Sequence, residues 1–320
     1  LQDFAGLVLG LQRIRIAPTG EDTGQRGLRQ RDALGQLDTL ATWLAACQGR
    51  AVPRMNRPQT VIFAGSHGVA QVTYPGSAPG LAQGLIQRLQ DGSAAANHIA
   101  GSLGAGLKVF DLATDQPTGD ITLGPAMSER ECAAALAFGM EAVADAPDAL
   151  AVGEIGVGGG VAAAALAAAL FGGDPEYWSR VGVWAPVGTA RTKADAVAQA
   201  LKANRGRADE PLHLLARLGG REIAATAGAI VAARHQNIPV VLDGFVTCVA
   251  AAVLHEMNPA ALDHCIAGHV SAEPAHRALL DRIDKAPLLD LGIRFGEGIG
   301  STLAFSLLRA ACAVRETDDV

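Results

Sequence analysis

Aromatic side chains are scarce in this chain: Phe, Trp and Tyr make up 4% of its 320 residues. Cysteine is scarce too. Cys47, Cys132, Cys248, Cys265 and Cys312 are odd in number and hold no C-x-x-C pair. This argues against a disulfide framework or zinc knuckle and for buried thiols in a reducing cytoplasm. An excess of positive charge is also missing. Lys and Arg total 26 against 32 Asp and Glu, a formal charge of -6, so the footprint of a nucleic-acid binder is absent. No secretory signal stands at the start, where Asp3, Arg13 and Arg15 interrupt any apolar block. The run from Ile155 to Gly173 carries no charge. It is rich in Gly and Ala and only just reaches the ~20 residues a membrane span needs, so it reads as a buried helix.

Apolar residues are abundant at 49%, enough for a globular core. That excludes wholesale disorder. Glycine is abundant as well, 38 of 320 residues, without a collagen period. Chains rich in Gly and Ala with few aromatics suit an α/β architecture, where Gly serves tight turns from strand to helix.

Residues 1–58 read as helical and polar, with Leu34, Leu37, Leu40, Trp43 and Leu44 at helical spacing. Short apolar runs follow at 60–65, 107–112, 149–154, 181–186, 238–244, 263–269 and 287–292. Helix-length stretches lie between them, at 79–102, 129–145, 160–171, 193–204, 211–235 and 245–257. Strands alternating with helices predict a mostly parallel sheet with right-handed crossovers. Ligands of such sheets sit beyond the carboxyl ends of the strands. Candidate residues are therefore Ser66, His67, Asp111, Glu154, Pro186 to Arg191, Asp243, His269 to Glu273, and Arg294 to Glu297.

Three stretches carry chemistry. "GEIGVGGG" from Gly153 runs a strand into a glycine loop and a helix, whose amide ends suit a phosphate. No G-K-[ST] follows, so it is not a Walker A loop, and the alternative is a tight turn for close packing. "GHVSAEPAHR" (268–277) gathers His269, Ser271, Glu273 and His276. Its spacing argues against a metal site, and capping by Ser271 or Glu273 of a helix carrying His276 is preferred. "LLDLGIRFGEGIGSTLAFSLLRAA" (288–311) puts Arg294 and Glu297 in a glycine loop at the ligand edge. The alternative there is an acidic residue favouring a helix start. For His67 the preferred reading is an orienting hydrogen bond within its turn.

Together these segments resemble the nicotinate-nucleotide:dimethylbenzimidazole phosphoribosyltransferase family, which serves assembly of the lower ligand of cobalamin. The matching pieces are "ALGQLDTLA", "FAGSHGV", "GEIGVGGG", "LGGREIAATAGA", "IPVVLDGFV", "NPAALDH", "GHVSAEPAHR" and "LLDLGIRFGEGIGSTLA". The resemblance implies a Rossmann-like, mostly parallel α/β sheet flanked by helices, with a smaller helical domain from both chain ends. The corresponding division is 1–58, then 59–292 for nucleotide binding, then 293–320 returning to the small domain. It implies a cytoplasmic homodimer acting on small molecules, a pentosyltransferase without metal or redox cofactor. The reaction moves phosphoribose from nicotinate mononucleotide to 5,6-dimethylbenzimidazole. By the same resemblance Glu297 is the general base and Glu154 a second catalytic carboxylate. Phosphate contacts fall on Gly156, Gly158, Lys193, Ser271 and Arg294, and base contacts on Thr73, Tyr74 and Gln83.

The chain departs from the family's pattern. Gly159, Gly160 and Val161 stand where Asn-Thr-Thr is expected, removing two hydroxyls and an amide from the phosphate loop. Gly65-Ser66-His67 replaces Ala-Asp-His. The loop before Lys193 is shortened to "PVGTART". These changes keep open a second reading, a non-catalytic or altered-specificity paralogue that binds a base or nucleotide. A dehydrogenase using the glycine loop for a dinucleotide ranks third.

Overall fold

The computed structural model describes residues 1–16, 34–73, 80–180, 189–205 and 210–318. Among the described residues six strands form one sheet: β1 (Pro58–Ser66), β2 (Gly106–Asp111), β3 (Ala149–Val157), β4 (Val240–Leu242), β5 (Cys265–His269) and β6 (Pro287–Leu289). Every pairing is parallel, in the order β2-β1-β3-β4-β5-β6. All six occupy runs read as strands from the sequence. The seventh run, 181–186, lies outside the described residues.

Before β1 come α1 (Gln2–Leu9) and α2 (Gln36–Gln48). Between β1 and β2 lie α3 (Ala70–Thr73), α4 (Leu81–Gln90) and α5 (Ala95–Ser102), and α6 (Glu129–Glu141) leads to β3. The long β3–β4 connection holds α7 (Gly159–Phe171), α8 (Pro175–Trp178), α9 (Thr189–Ala203), α10 (Pro211–Leu218) and α11 (Arg221–His235). The remaining helices are α12 (Phe245–Met257), α13 (Pro274–Arg282) and α14 (Ile299–Asp318).

Alternate strand residues feed opposite faces, as the two-residue pleat requires. Val61 and Phe63 of β1 join Leu150 and Val152 of β3 beneath α6, α7, α11 and α12. Ile62 and Ala64 point the other way, toward Ile86 and Leu89 of α4 and Ala96 of α5. The chain ends meet on that second side. Leu40, Leu44 and Cys47 of α2 pack with Phe305, Leu308 and Ala311 of α14 over Ala149, Ala151 and Val241 of the sheet.

The charge-free run forms α7, buried along most of its length because it is apolar on every side. No helix among the described residues is long and apolar enough to cross a membrane. Glycine sets the close contact between α6 and α11. A Cβ on Gly139 of α6 would collide with the Ala225 carbonyl of α11, and one on Gly228 with the Leu136 carbonyl. The two backbones therefore touch directly.

Two stretches expected as single helices are divided. The first breaks between α4 and α5, where Gly92 takes a positive φ of 80°. The second breaks at Gly219 and Gly220, between α10 and α11. A Cβ on Gly219 would lie 2.5 Å from the Leu215 carbonyl oxygen, and one on Gly220 would strike the His67 ring. This break turns the start of α11 toward the end of β1.

Candidate active site

Strand order reverses between β1 and β3, so the ligand crevice of such a sheet is expected beyond their carboxyl ends. A cleft of about 320 Å³ opens there. Glu154, Ile155, Gly156, Val157, Gly158 and Gly160 form its floor. Leu81 and Leu85 of α4 make one wall, and Phe295, Gly296 and Glu297 the other.

The floor is the turn from β3 into α7. Gly158 has φ 91° at the helix N-cap and supplies no side-chain cap, so the first amides of α7 face outward. Lys193 of α9 is buried beside this turn, its Nζ 3.4 Å from where a Cβ on Gly160 would stand. Glu273 approaches the same point, its Oε1 4.0 Å away. Burial pushes the Glu273 carboxyl up, and Lys193 opposes that shift.

The outer wall is the loop before α14. Its backbone lies so close to β3 that a Cβ on Gly153 would collide with Gly298. The Glu297 amide donates to the Glu154 carbonyl at 3.2 Å. Glu297 itself has φ 64°, a left-handed conformation that costs a non-glycine residue roughly 1–2 kcal/mol. It is 4% exposed, and its Oε2 has no hydrogen-bond partner among the described residues. Burial raises its carboxyl above the ordinary value, against a lowering pull from Arg88.

Glu154 is placed differently. Burial raises its carboxyl well above the ordinary value, and Glu222, Asp243 and Glu273 raise it further by like charge. Glu222 lies in the first turn of α11, and its Oε1 meets His67 Nε2 at 2.6 Å. His67 thus bonds across the cleft floor to α11 rather than within its own turn. The break at Gly219 and Gly220 is what lets α11 deliver that carboxylate.

Neither Ser271 nor Glu273 caps α13. Glu273 stands at the N-cap, but its side chain makes no capping bond and reaches toward Lys193 instead. The Ser271 amide donates to His276 Nδ1 at 2.8 Å, and its hydroxyl lies 3.0 Å from the same nitrogen. Burial, then His269, lower His276 to about 3, so the ring is neutral and its Nδ1 can accept.

The phosphoribosyltransferase family matches residues 21–318. A nicotinate-nucleotide–dimethylbenzimidazole phosphoribosyltransferase of Brucella anthropi is 48% identical over 307 residues, 93% of this chain and 90% of that one. Its counterpart in Allorhizobium ampelinum is 50% identical over 284 residues, 88% of this chain and 82% of that one. The chain belongs to the nicotinate-nucleotide–dimethylbenzimidazole phosphoribosyltransferase family. The crystal structure of CobT from Thermus thermophilus superposes with a TM-score of 0.84 at 33% identity, covering 98% of this chain and 95% of that one.

Residues singled out by resemblance to this phosphoribosyltransferase family fall into three groups. Glu154, Gly156, Gly158 and Glu297 line the cleft together. Lys193 adjoins it at Gly160, Ser271 stands past the end of β5, two strands along the sheet from β3, and Arg294 is exposed on the loop leading to Glu297. Thr73 and Gln83 do not line it. The Thr73 hydroxyl donates to the carbonyl of Val69, just before α3, at 3.0 Å, and Gln83 is exposed on α4 beside the lining residues. Tyr74 lies outside the described residues. Sequence reasoning passed over Glu222, although two glycines followed by an acidic first turn signal a helix start at that point.

Proposed function

We propose that this chain transfers phosphoribose from nicotinate mononucleotide to 5,6-dimethylbenzimidazole or a related azole, with Glu297 as general base. The products are α-ribazole phosphate and nicotinate. The observation that carries the assignment is Glu297 itself: a strained, left-handed glutamate with an unpartnered oxygen in an apolar-walled cleft. Strain of this kind persists where function holds it.

The azole must lose its N–H proton as its other nitrogen attacks C1 of the ribose. Glu297 takes that proton, a step typically worth 10²–10⁴-fold. Its raised carboxyl makes it a stronger base than an exposed glutamate. The C1–nitrogen bond to nicotinate breaks, and its electron pair neutralises the pyridinium, so the leaving group needs no acid. Leu81, Leu85 and Phe295 offer apolar surface to a flat base. The phosphate fits the start of α7, where backbone amides and Lys193 supply positive charge, with Ser271 and Arg294 as further contacts. Gly159 and Gly160 leave this loop to its backbone.

The reading extends to a homodimer in the cytoplasm with no nucleic-acid partner. Exposed Leu7, Leu9 and Ile16 offer apolar surface for association, and the five buried thiols suit a reducing compartment.

The test is chromatography of the protein incubated with nicotinate mononucleotide and dimethylbenzimidazole. Nicotinate and α-ribazole phosphate should appear, and Glu297→Ala should abolish both. Saturable ligand binding by a folded protein without any product would sink the assignment and favour the non-catalytic paralogue.

A further inference from the structure

Beneath the cleft lies a pair that the reaction above leaves unused. His67 follows the end of β1, and Glu222 lies in the first turn of α11. Both side chains are enclosed, at 1% and 0% exposure. His67 Nδ1 and Glu222 Oε2 have no hydrogen-bond partner among the described residues. Missing side chains make room for the pair. A Cβ on Gly65 would collide with the Glu222 carboxylate, and one on Gly220 with His67.

The same carboxylate reaches the cleft floor. An ideal Cβ on Gly156 would stand 3.0 Å from Glu154 Oε2 and 3.1 Å from Glu222 Oε1. The two carboxyl groups thus face one another across a single absent side chain. Like charges at such range do not both ionise readily, and the better supported group keeps the charge. Glu222 has the open amides of the α11 N-terminus and the His67 hydrogen bond. Glu154 has no side-chain hydrogen bond among the described residues.

We propose that the His67–Glu222 pair is a positioning unit that keeps negative charge beneath Glu154, making Glu154 a neutral hydrogen-bond donor to the bound nucleotide. The inference rests on the transferase reading for its substrate. The groups around Glu154 agree with it. Glu222 from α11, Asp243 after β4 and Glu273 before α13 all oppose its ionisation, in addition to burial. Lys193 of α9 stands nearer Glu273, and Glu297 faces the cleft from its wall. Glu154 then offers an O–H to an oxygen of the nucleotide, while Glu297 accepts the azole proton. A neutral Glu154 also spares the incoming phosphate a repelling charge at the start of α7.

Infrared difference spectroscopy between wild type and Glu154→Gln at pH 7 tests this without needing turnover. A protonated-carboxyl band should be present in wild type and missing from the variant. If the spectra show only a carboxylate lost, the proposal is wrong. Glu222→Gln keeps the shape of the pair and removes its charge. It should move the alkaline limb of kcat/KM for nicotinate mononucleotide down by a pH unit or more, equivalent to tenfold or more at fixed pH on that limb. A purely structural role would lower activity at every pH without moving the limb, and that result would overturn the proposal. Should Glu222→Gln fail to fold, the wild-type spectrum still decides. A protonated band in a protein that makes no α-ribazole phosphate would retain the pair's role and reject the transferase reading.

Discussion

Glu154 and Glu297 line one cleft, one from its floor and one from its wall, yet their surroundings differ in nearly every respect. Glu154 lies within β3, near its carboxyl end, with three other carboxylates acting on it. Glu297 sits in a glycine loop, where Arg88 is the charge acting on it. Burial lifts both carboxyls, but only Glu154 is lifted further by like charge. The contrast shows how one fold can assign two roles to one residue type. Backbone strain places Glu297 at the apolar mouth, where a base is useful. Helix α11 places a second carboxylate beneath Glu154, where a donor is useful.

The largest expected effect lies at the mouth. Glu297→Gln keeps the shape and removes the base, so kcat should fall by about 10²–10⁴-fold. The check is steady-state turnover on a variant whose circular dichroism matches wild type. Next comes the floor. Glu222→Ala strands the His67 ring in a dry pocket, and leaving a buried polar group unpaired costs roughly 1–3 kcal/mol, with the cost of the cavity left by the lost side chain added to it. A urea titration would show it, and an unchanged midpoint would remove the pair's structural importance.

A smaller effect separates scaffold from site. Gly228→Ala forces α6 and α11 apart and should cost roughly 1–3 kcal/mol. It should leave the pH profile of turnover where it was. A shifted profile would mean that the floor responds to distant packing rather than to its own charges.

The smallest effect concerns stability and pH. A carboxyl raised in the folded state binds its proton more tightly folded than unfolded. Its contribution is therefore fully present below the ordinary value of 4.5 and is lost as pH rises through the folded value. Glu154→Gln removes that loss. Its melting temperature should match wild type in acid and exceed it progressively toward neutral pH. A difference that stays constant with pH would contradict the account.

Much of the scaffold is legible in the sequence because each strand is a short apolar run bounded by turn residues. Phe245–Met257 is bounded just as its apolar run suggests. The breaks inside 79–102 and 211–235 are less visible, since Gly219 and Gly220 matter through what their missing Cβ atoms would strike. At the site, Glu154, the glycine turn and Glu297 can be found because strand ends mark the ligand edge. Glu222 lies far from any strand end and reaches the floor only through the fold. Glu273 sits where a cap is expected, and only its reach toward Lys193 shows otherwise.

The central claim is that two like residues do opposite work, and one side-by-side assay tests it. Glu154→Gln and Glu297→Gln are compared at pH 7 with saturating nicotinate mononucleotide and dimethylbenzimidazole. A glutamine can replace a neutral donor but not a base. Glu297→Gln should lose roughly a hundredfold or more. Glu154→Gln should lose less than about tenfold, the worth of one altered hydrogen bond of about 1 kcal/mol. Equal collapse of both variants would contradict the division of roles.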